Sequence, residues 1–252
     1  MSGGPHPTTG ALQGALELVE DLEGVAGAFA GAVVAAFAAR RGPRFTLALS
    51  GGPTARRCYE RLARTDGPAV DWSLVDVLMG DERCVGADDP DANQRLVREA
   101  LIDRVGGVGS FRPMSCEAGP EAYERVVAGV GAIDVVHLGV GPDGHTASLF
   151  PNSPALAAPA ARLVVRSSDP QERNPHARMT LTLAAIARAR LVLFTVSGES
   201  KQAAWSGLVS GEDLPAARVR ADELRWIVDR AAAGPGAPGA PGSPAGASGR
   251  DR

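Results

Sequence analysis

The chain has 252 residues, of which 44% are hydrophobic and 22% are charged, and its formal net charge is −3 at pH 7. This composition is typical of a soluble globular protein, and the acidic balance argues against a general nucleic-acid binder, which usually carries a basic surplus. No apolar run approaches the roughly 20 residues that cross a bilayer, so we expect no membrane segment. The three cysteines have no Cys-x-x-Cys spacing, which favours reduced thiols in a cytoplasmic protein over a disulfide framework.

The composition also divides the chain into three segments. Residues 1–11 are rich in Gly, Pro and Thr and are predicted to be loose. Residues 12–233 are predicted to form a single α/β domain with a small accessory lobe. Residues 234–252 form a Pro/Gly/Ala tail without apolar periodicity, which is predicted to be disordered and dispensable.

Within the predicted domain, apolar stretches of strand length alternate with helical patterns. Strands are predicted over residues 44–50, 73–80, 132–140, 161–167, 178–183, 190–196 and 224–229. Helices are predicted from residue 54, over 93–103 and from residue 200, with a helix or turn from residue 146. Near-continuous Val/Leu strands alternating with helices indicate a doubly wound, mostly parallel sheet with helices on both faces. Such folds bind ligands beyond the carboxyl ends of their strands.

The loop after the strand at 44–50 has the pattern of an anion-binding turn. Ser50, Gly51 and Gly52 follow the strand directly, and Thr54 is placed to cap the next helix. Backbone N–H groups of such a turn bind anions, although paired glycines also serve simply to make a tight connection.

Two further loops after strands carry a cation. Arg83 follows Asp81 and Glu82, which are placed to hold it for bidentate phosphate binding; taken alone, a surface salt-bridge cluster is the simpler interpretation. Lys201 is the only lysine among 26 basic residues and lies in the first turn of a predicted helix. A lysine there opposes the helix dipole, which favours a bound anion, while chance in an arginine-rich chain is the alternative.

The stretch GVGPDGHTASLFPN, residues 139–152, contains Gly-x-Gly-x-x-Gly but does not fit a dinucleotide-binding turn. That turn belongs to the first strand–helix unit and is followed about 20 residues later by an acidic residue, whereas this one falls mid-chain with Asp143 inside it. His145, directly after the third glycine, is instead a candidate general base. His137 lies within a strand and is predicted to be a core residue, and His176, in a polar loop, is a second candidate base.

Four stretches in this order resemble the 6-phosphogluconolactonase family, which shares a fold group with glucosamine-6-phosphate deaminase and ribose-5-phosphate isomerase. They are LALSGGPTARRCYERL, GDERCVGADDPDANQRLV, DVVHLGVGPDGHTASLFP and RMTLTLAAIARARLVLFTVSGESK, and together they cover roughly residues 45–201. The segment GHTASLFP favours the lactonases over the deaminases, whose loop resembles DGHIAFNEP. Pro53 departs from the family pattern, which usually has a hydroxyl residue at this position, and NPHA replaces a proline-rich approach before RMTLT.

The resemblance implies hydrolysis of 6-phospho-D-glucono-1,5-lactone to 6-phospho-D-gluconate in the oxidative pentose phosphate pathway, with His145 as general base and Asp143 orienting it. The substrate-binding residues that it implies are Ser50, Gly51, Gly52, Thr54, Arg83, Gly144, Arg178 and Lys201. It implies no metal and no cofactor, because an activated lactone needs a base more than a Lewis acid. The expected partner is the small sugar-phosphate lactone alone, with the protein a monomer or weak dimer and no nucleic acid or membrane bound.

Two alternatives stay open at this point. One is a glucosamine-6-phosphate deaminase-like enzyme or another sugar-phosphate isomerase, which would need a carboxylate base and the FNEP-like loop. The other is a sugar-phosphate sensor that binds without turnover, which would not need the histidine.

Overall fold

The computed structural model describes residues 12–64 and 69–235. Its strands are β1 (Ala15–Val19), β2 (Phe45–Leu49), β3 (Val75–Met79), β4 (Asp81–Arg83), β5 (Ser110–Arg112), β6 (Ile133–Gly139), β7 (Val164–Ser167), β8 (Arg178–Leu181), β9 (Ala189–Val196) and β10 (Glu223–Asp229). Seven of them form one sheet in the order β1-β10-β9-β6-β2-β3-β5, and every neighbouring pair is parallel. This is the parallel sheet that the apolar strand pattern predicts.

The central strands of this sheet are covered on both faces. Every residue of β2 is buried, and β6 is buried from Ile133 to Leu138. Because successive side chains of a strand point to opposite faces, burial at every position requires packed layers above and below. The continuous Val/Leu/Ala runs of the sequence supply that packing.

The helices are α1 (Leu22–Ala38), α2 (Pro53–Ala63), α3 (Asn93–Val97), α4 (Pro120–Gly129), α5 (Leu183–Ile186), α6 (Gln202–Ser210) and α7 (Arg230–Ala233), with Arg98–Ile102 continuing α3 as a π-helical turn. Asp21 begins α1 by accepting a hydrogen bond from the backbone N–H of Gly24 at 2.9 Å. The buried face of α1 packs against α2 and against β9 and β10. None of the helices within the described residues is long and apolar enough to pass through a membrane.

A second, three-stranded antiparallel sheet has the order β4-β8-β7 and forms the predicted accessory lobe. Its register places Arg83 of β4 directly opposite Arg178 of β8, although 95 positions separate them in the chain. The small sheet therefore brings two arginines from distant motifs side by side.

The structure corrects several details of the predicted elements. Strands β1, β4 and β5 were not predicted, since β1 is an exposed edge strand and the other two have only three residues each. Of the helix or turn predicted from residue 146, the structure has the turn, with a single bridge between Thr146 and Leu149. Thr54 does not cap α2, because Gly52 occupies the cap position and Pro53 the first helical position.

The prediction of three free thiols is wrong. Cys84, just after β4, is bonded to Cys116 in the loop before α4, and only the buried Cys58 is free. The spacing of 32 residues gave no signal for this pair, because the small sheet brings the two loops together. The predicted loose segment 1–11, and the predicted tail from residue 236 onward, lie outside the described residues.

Candidate active site

A pocket of about 270 Å³ opens where β2, β6 and β9 end. These strands are adjacent in the large sheet, so the loops that follow them meet at one edge, and the small sheet completes the wall. The sequence-predicted residues that line the pocket are Ser50, Gly51, Gly52, Thr54, Arg83, His145, Arg178 and Lys201.

Two predicted residues lie outside the lining. Asp143 sits behind His145 and contacts it without facing the pocket. Gly144 has a φ of 79° and turns the chain against Leu214, whose side chain lies within 3.0 Å of where a Cβ would stand. The geometry gives Gly144 a role in the turn rather than a direct contact with a molecule in the pocket.

His145 and Asp143 form a hydrogen-bonded pair. Nδ1 of the imidazole donates to Oδ1 of Asp143 at 2.6 Å, and the backbone N–H of His145 donates to the same oxygen at 3.1 Å. Burial would raise the pKa of Asp143, but the hydrogen bonds from His145 outweigh it and lower the pKa to about 2. A carboxylate at Nδ1 keeps the proton on that nitrogen, so the lone pair of the neutral ring is on Nε2.

The glycines of the loop allow the chain to fold tightly around this pair. A Cβ on Gly141 would stand 2.1 Å from Nδ1 of His145, and the backbone N–H of Gly141 donates to the carbonyl of His145 at 2.8 Å. Thr146 closes the turn by donating its hydroxyl to the carbonyl of Gly139 at 2.9 Å. The Gly-x-Gly-x-x-Gly spacing therefore serves to present a histidine, and the site needs no pyrophosphate to explain it.

Phe150 links the histidine to one of the arginines. Its buried ring lies 4.8 Å from the imidazole of His145, and the guanidinium of Arg178 stands 5.8 Å from the same ring centre. The segment after the histidine thus sets the positions of the base and of a cation together.

Arg178 and Lys201 are cations without partners. Among the described residues neither side chain has a hydrogen bond or an ion pair, and the Nε of Arg178 is buried. Burial lowers the pKa of both groups, with Asp143 acting in the opposite direction on Lys201. A cation that is withdrawn from water without an ion-pair partner is costly, so the buried Arg178 and the half-buried Lys201 mark a place for an anion.

Arg83 is held differently from the way its sequence neighbours suggested. Its Nη1 donates to the backbone carbonyl of Asp91 at 2.8 Å, with the carboxylate of Asp91 at 3.7 Å. Asp81 instead accepts the hydroxyl of Ser148 at 2.6 Å. The prediction that both acidic neighbours position the guanidinium is therefore wrong.

The first loop contributes backbone rather than side-chain groups. The hydroxyl of Ser50 donates to the carbonyl of His137 at 2.9 Å, and its backbone N–H donates to the hydroxyl of Tyr59 at 3.0 Å. Both groups of Ser50 are thus already used in the core. The part of this loop that faces the pocket is therefore the backbone of Gly51 and Gly52, together with the first turn of α2.

The other histidines lie elsewhere. His137 is fully buried between the hydroxyls of Tyr59 and Thr195, at 2.8 Å from each, and burial lowers its pKa to about 3. This matches the predicted core position. His176 does not line the pocket and hydrogen-bonds Asp91 at 2.9 Å.

The sequence did not predict five polar residues of the pocket wall, namely Asp81, Asn93, Asn174, Thr195 and Ser197. Asn93 is buried and lies so close to Gly51 that a Cβ there would stand 1.8 Å from its Oδ1. The only signal for Asn93 was its place at the start of a helix after an acidic loop. Asn174 gave none, because its loop has no regular pattern.

The chain is similar to known proteins over most of its length. The model of the family described as glucosamine-6-phosphate isomerases/6-phosphogluconolactonase matches residues 20–227. The chain is 40% identical over 206 residues to a 6-phosphogluconolactonase of Synechocystis sp., covering 74% of this chain and 82% of that protein. It is 39% identical over 214 residues to one of Caulobacter vibrioides, covering 80% and 88%. The crystal structure of 6-phosphogluconolactonase from Leishmania guyanensis superposes with a TM-score of 0.77 at 26% identity, covering 88% of this chain and 98% of that one.

Proposed function

The chain belongs to the family of glucosamine-6-phosphate isomerases and 6-phosphogluconolactonases, and from this premise we propose that it hydrolyses 6-phospho-D-glucono-1,5-lactone to 6-phospho-D-gluconate. In that role it is an enzyme of the oxidative pentose phosphate pathway. One observation of the site carries the proposal: a histidine with Nδ1 held by Asp143 faces a pocket that also contains unpaired cations.

The reaction begins with His145. Its Nε2 takes a proton from a water molecule as the water oxygen attacks C1 of the lactone. The C1–O bond of the ring then breaks, and the imidazolium returns the proton to the ring oxygen, which becomes the C5 hydroxyl. Water has been added across one ester bond, and the new carboxyl group ionises in solution.

The cations of the pocket bind different parts of the substrate. Lys201 and Arg83, with the backbone at Gly51 and Gly52, bind the phosphate dianion. Arg178 lies near the same Phe150 ring as the imidazole and lines the same pocket, which suits it to the oxyanion that forms at C1 or to the sugar acid. Ester hydrolysis transfers no electrons, and a histidine base activates the water, so this scheme uses neither cofactor nor metal.

The test is the His145→Ala variant with freshly generated lactone, following acid release above the spontaneous background. We expect the rate to fall by about 10²–10⁴ while 6-phosphogluconate still binds in calorimetry, because the base is lost and the cations stay. A variant within about threefold of wild type, with a large loss in His176→Ala instead, would place the base at His176.

The same preparation separates the alternatives. Ammonia release from glucosamine 6-phosphate would indicate a deaminase, and lactone binding without turnover would indicate a sensor. We propose the lactonase because the loop reads GHTASLFP and contains the base. We further propose that the protein acts in the cytoplasm, since its substrate carries a dianionic phosphate that does not cross a bilayer unaided. We also propose that it acts as a monomer or weak dimer and binds no nucleic acid.

A further inference from the structure

The loop between β7 and β8, residues 168–177, contacts both sides of the pocket. On one side Nη2 of Arg173 donates to Oδ2 of Asp143 at 2.7 Å. On the other side Nε2 of His176 lies 2.9 Å from Oδ2 of Asp91, the residue that holds Arg83. Between them Asn174 lines the pocket and donates to Asp169 at 2.8 Å. The loop is therefore attached at two points: through Asp143 it contacts the residue that holds His145, and through Asp91 it contacts the residue that holds Arg83.

The contact with Asp143 completes a chain of three side chains. Oδ1 of this carboxylate accepts from His145, and Oδ2 accepts from Arg173. In the described part of the chain Arg173 is the only residue outside the loop 139–152 whose side chain hydrogen-bonds Asp143. The side chain of Asp143 is only 10% exposed, whereas that of Arg173 is 50% exposed.

We propose that Arg173 is a positioning residue that acts through Asp143: by holding Oδ2, it keeps Oδ1 against Nδ1 of His145. This inference rests on the proposed function for its catalytic consequence. Arg173 itself does not line the pocket and does not touch the reacting atoms.

The physical reason lies in the rotation of the carboxylate. A carboxylate held at one oxygen turns about its Cβ–Cγ bond, whereas a second charge-assisted hydrogen bond fixes its plane. The orientation of the carboxylate decides which nitrogen of the imidazole has the proton, and a base in the wrong tautomer has no lone pair on Nε2. Loss of Arg173 should therefore lower kcat while leaving KM almost unchanged.

The experiment compares Arg173→Gln, Arg173→Lys and Arg125→Gln with wild type. Arg125 is exposed on α4 and has no side-chain hydrogen bond within the described residues, so its variant is a matched control for loss of one arginine. We expect kcat to fall roughly 10-fold in Arg173→Gln with KM within about twofold, and to recover in part in Arg173→Lys, whose ammonium reaches one oxygen. Arg125→Gln should equal wild type.

A second readout is independent of turnover. The protein has four histidines, so ¹⁵N spectra of the imidazoles, assigned with His145→Gln, report the tautomer of each neutral ring. We expect His145 to be protonated on Nδ1 in wild type and to become a mixture of tautomers in Arg173→Gln.

The two readouts separate this inference from the proposed function. An inactive wild type would refute the function, and the spectra would still test Arg173. An active wild type with unchanged kcat and unchanged spectra in Arg173→Gln would overturn the inference. An equal loss in Arg125→Gln would also overturn it, because the effect would then belong to charge or stability in general.

Discussion

At the scale of single residues, the site requires glycine at position 141, because the structure has no room there for a Cβ. Gly141 lies so close to the imidazole that a Cβ would stand 2.1 Å from Nδ1 of His145 and 2.8 Å from Oδ1 of Asp143. Heavy atoms do not approach to 2.1 Å without bonding, so any other residue must displace the pair. The Gly-x-Gly spacing here is a packing requirement of the base.

Gly141→Ala should therefore abolish most activity with a small effect on folding. We expect kcat to fall by about 10² or more, since a displacement of about 1 Å is enough for such a loss. Steady-state kinetics and thermal melting measure the two effects. Gly129→Ala is the matched control, because a Cβ there meets nothing within 4 Å; equal kinetics for the two variants would contradict this account of the loop.

Lys201 gives a prediction about the substrate. Lys201→Ala should raise KM for the phosphorylated lactone by about 10- to 150-fold, which corresponds to roughly 1.5–3 kcal/mol for a charge-assisted contact. Unphosphorylated gluconolactone should be scarcely affected, since it has no dianion for the ammonium to meet. Lys201→Arg should restore binding only in part. Equal losses on both lactones would mean that Lys201 serves ring opening or the fold.

At the scale of elements, Glu82 connects β4 to the start of α3. Its carboxylate accepts from the backbone N–H groups of Arg83, Asn93 and Gln94, each at 2.7 Å. It thus caps a helix from a neighbouring strand and places Asn93 and Arg83 in the pocket wall. Burial raises the pKa of Glu82 from an ordinary value near 4.5 to about 7, although the three N–H groups act to lower it.

The stability of the protein should depend on pH through this carboxyl. A pKa raised on folding contributes stability that is full below about pH 4.5 and is lost as the pH rises through about 7. The free energy of unfolding of wild type, relative to Glu82→Gln, should fall by about 2–3 kcal/mol between pH 5 and pH 8. Urea unfolding at both pH values measures it, and other titrating groups cancel in the difference. A difference that does not change with pH would show that Glu82 is ionised throughout.

At the scale of the whole molecule, the disulfide joins the loop after β4 to the loop before α4. It closes a segment of 32 residues that contains α3, β5 and their connections. A crosslink of this kind removes conformations from the unfolded chain and so stabilises the folded one. Cys58, in contrast, is buried in the core, and burial raises the pKa of its thiol to about 12.

The double variant Cys84→Ser/Cys116→Ser should have a free energy of unfolding lower by about 2–4 kcal/mol. Reductant should lower the stability of wild type by a similar amount and leave the double variant unchanged. Chemical denaturation with and without reductant measures both effects. Stability of wild type that is insensitive to reductant would mean that the thiols are not joined in solution.

Much of the architecture could be predicted because it depends on local pattern. The alternation of Val/Leu runs with helical segments defined the parallel sheet, and the carboxyl ends of its strands defined the edge where ligands bind. Eight of the ten predicted site residues line the same pocket. Six of them follow β2, β6 and β9, whose loops meet because adjacent parallel strands end at one edge, whereas Arg83 and Arg178 come from the small antiparallel sheet. The short strands β4 and β5 escaped prediction, since three polar or mixed residues have no periodicity to detect.

The sequence by itself determined which chemical groups follow successive strands. In chain order they are a glycine turn, an arginine, a histidine after a carboxylate, and a solitary lysine, each at the end of a strand. Only the tertiary structure decided which of these touch. It opposed Arg83 to Arg178, joined Cys84 to Cys116, and laid Arg173 against Asp143. These contacts depend on register and loop path between residues 30 to 95 positions apart. Side-chain periodicity reports the face on which a residue lies, but it has no information on the distant partner that will lie opposite.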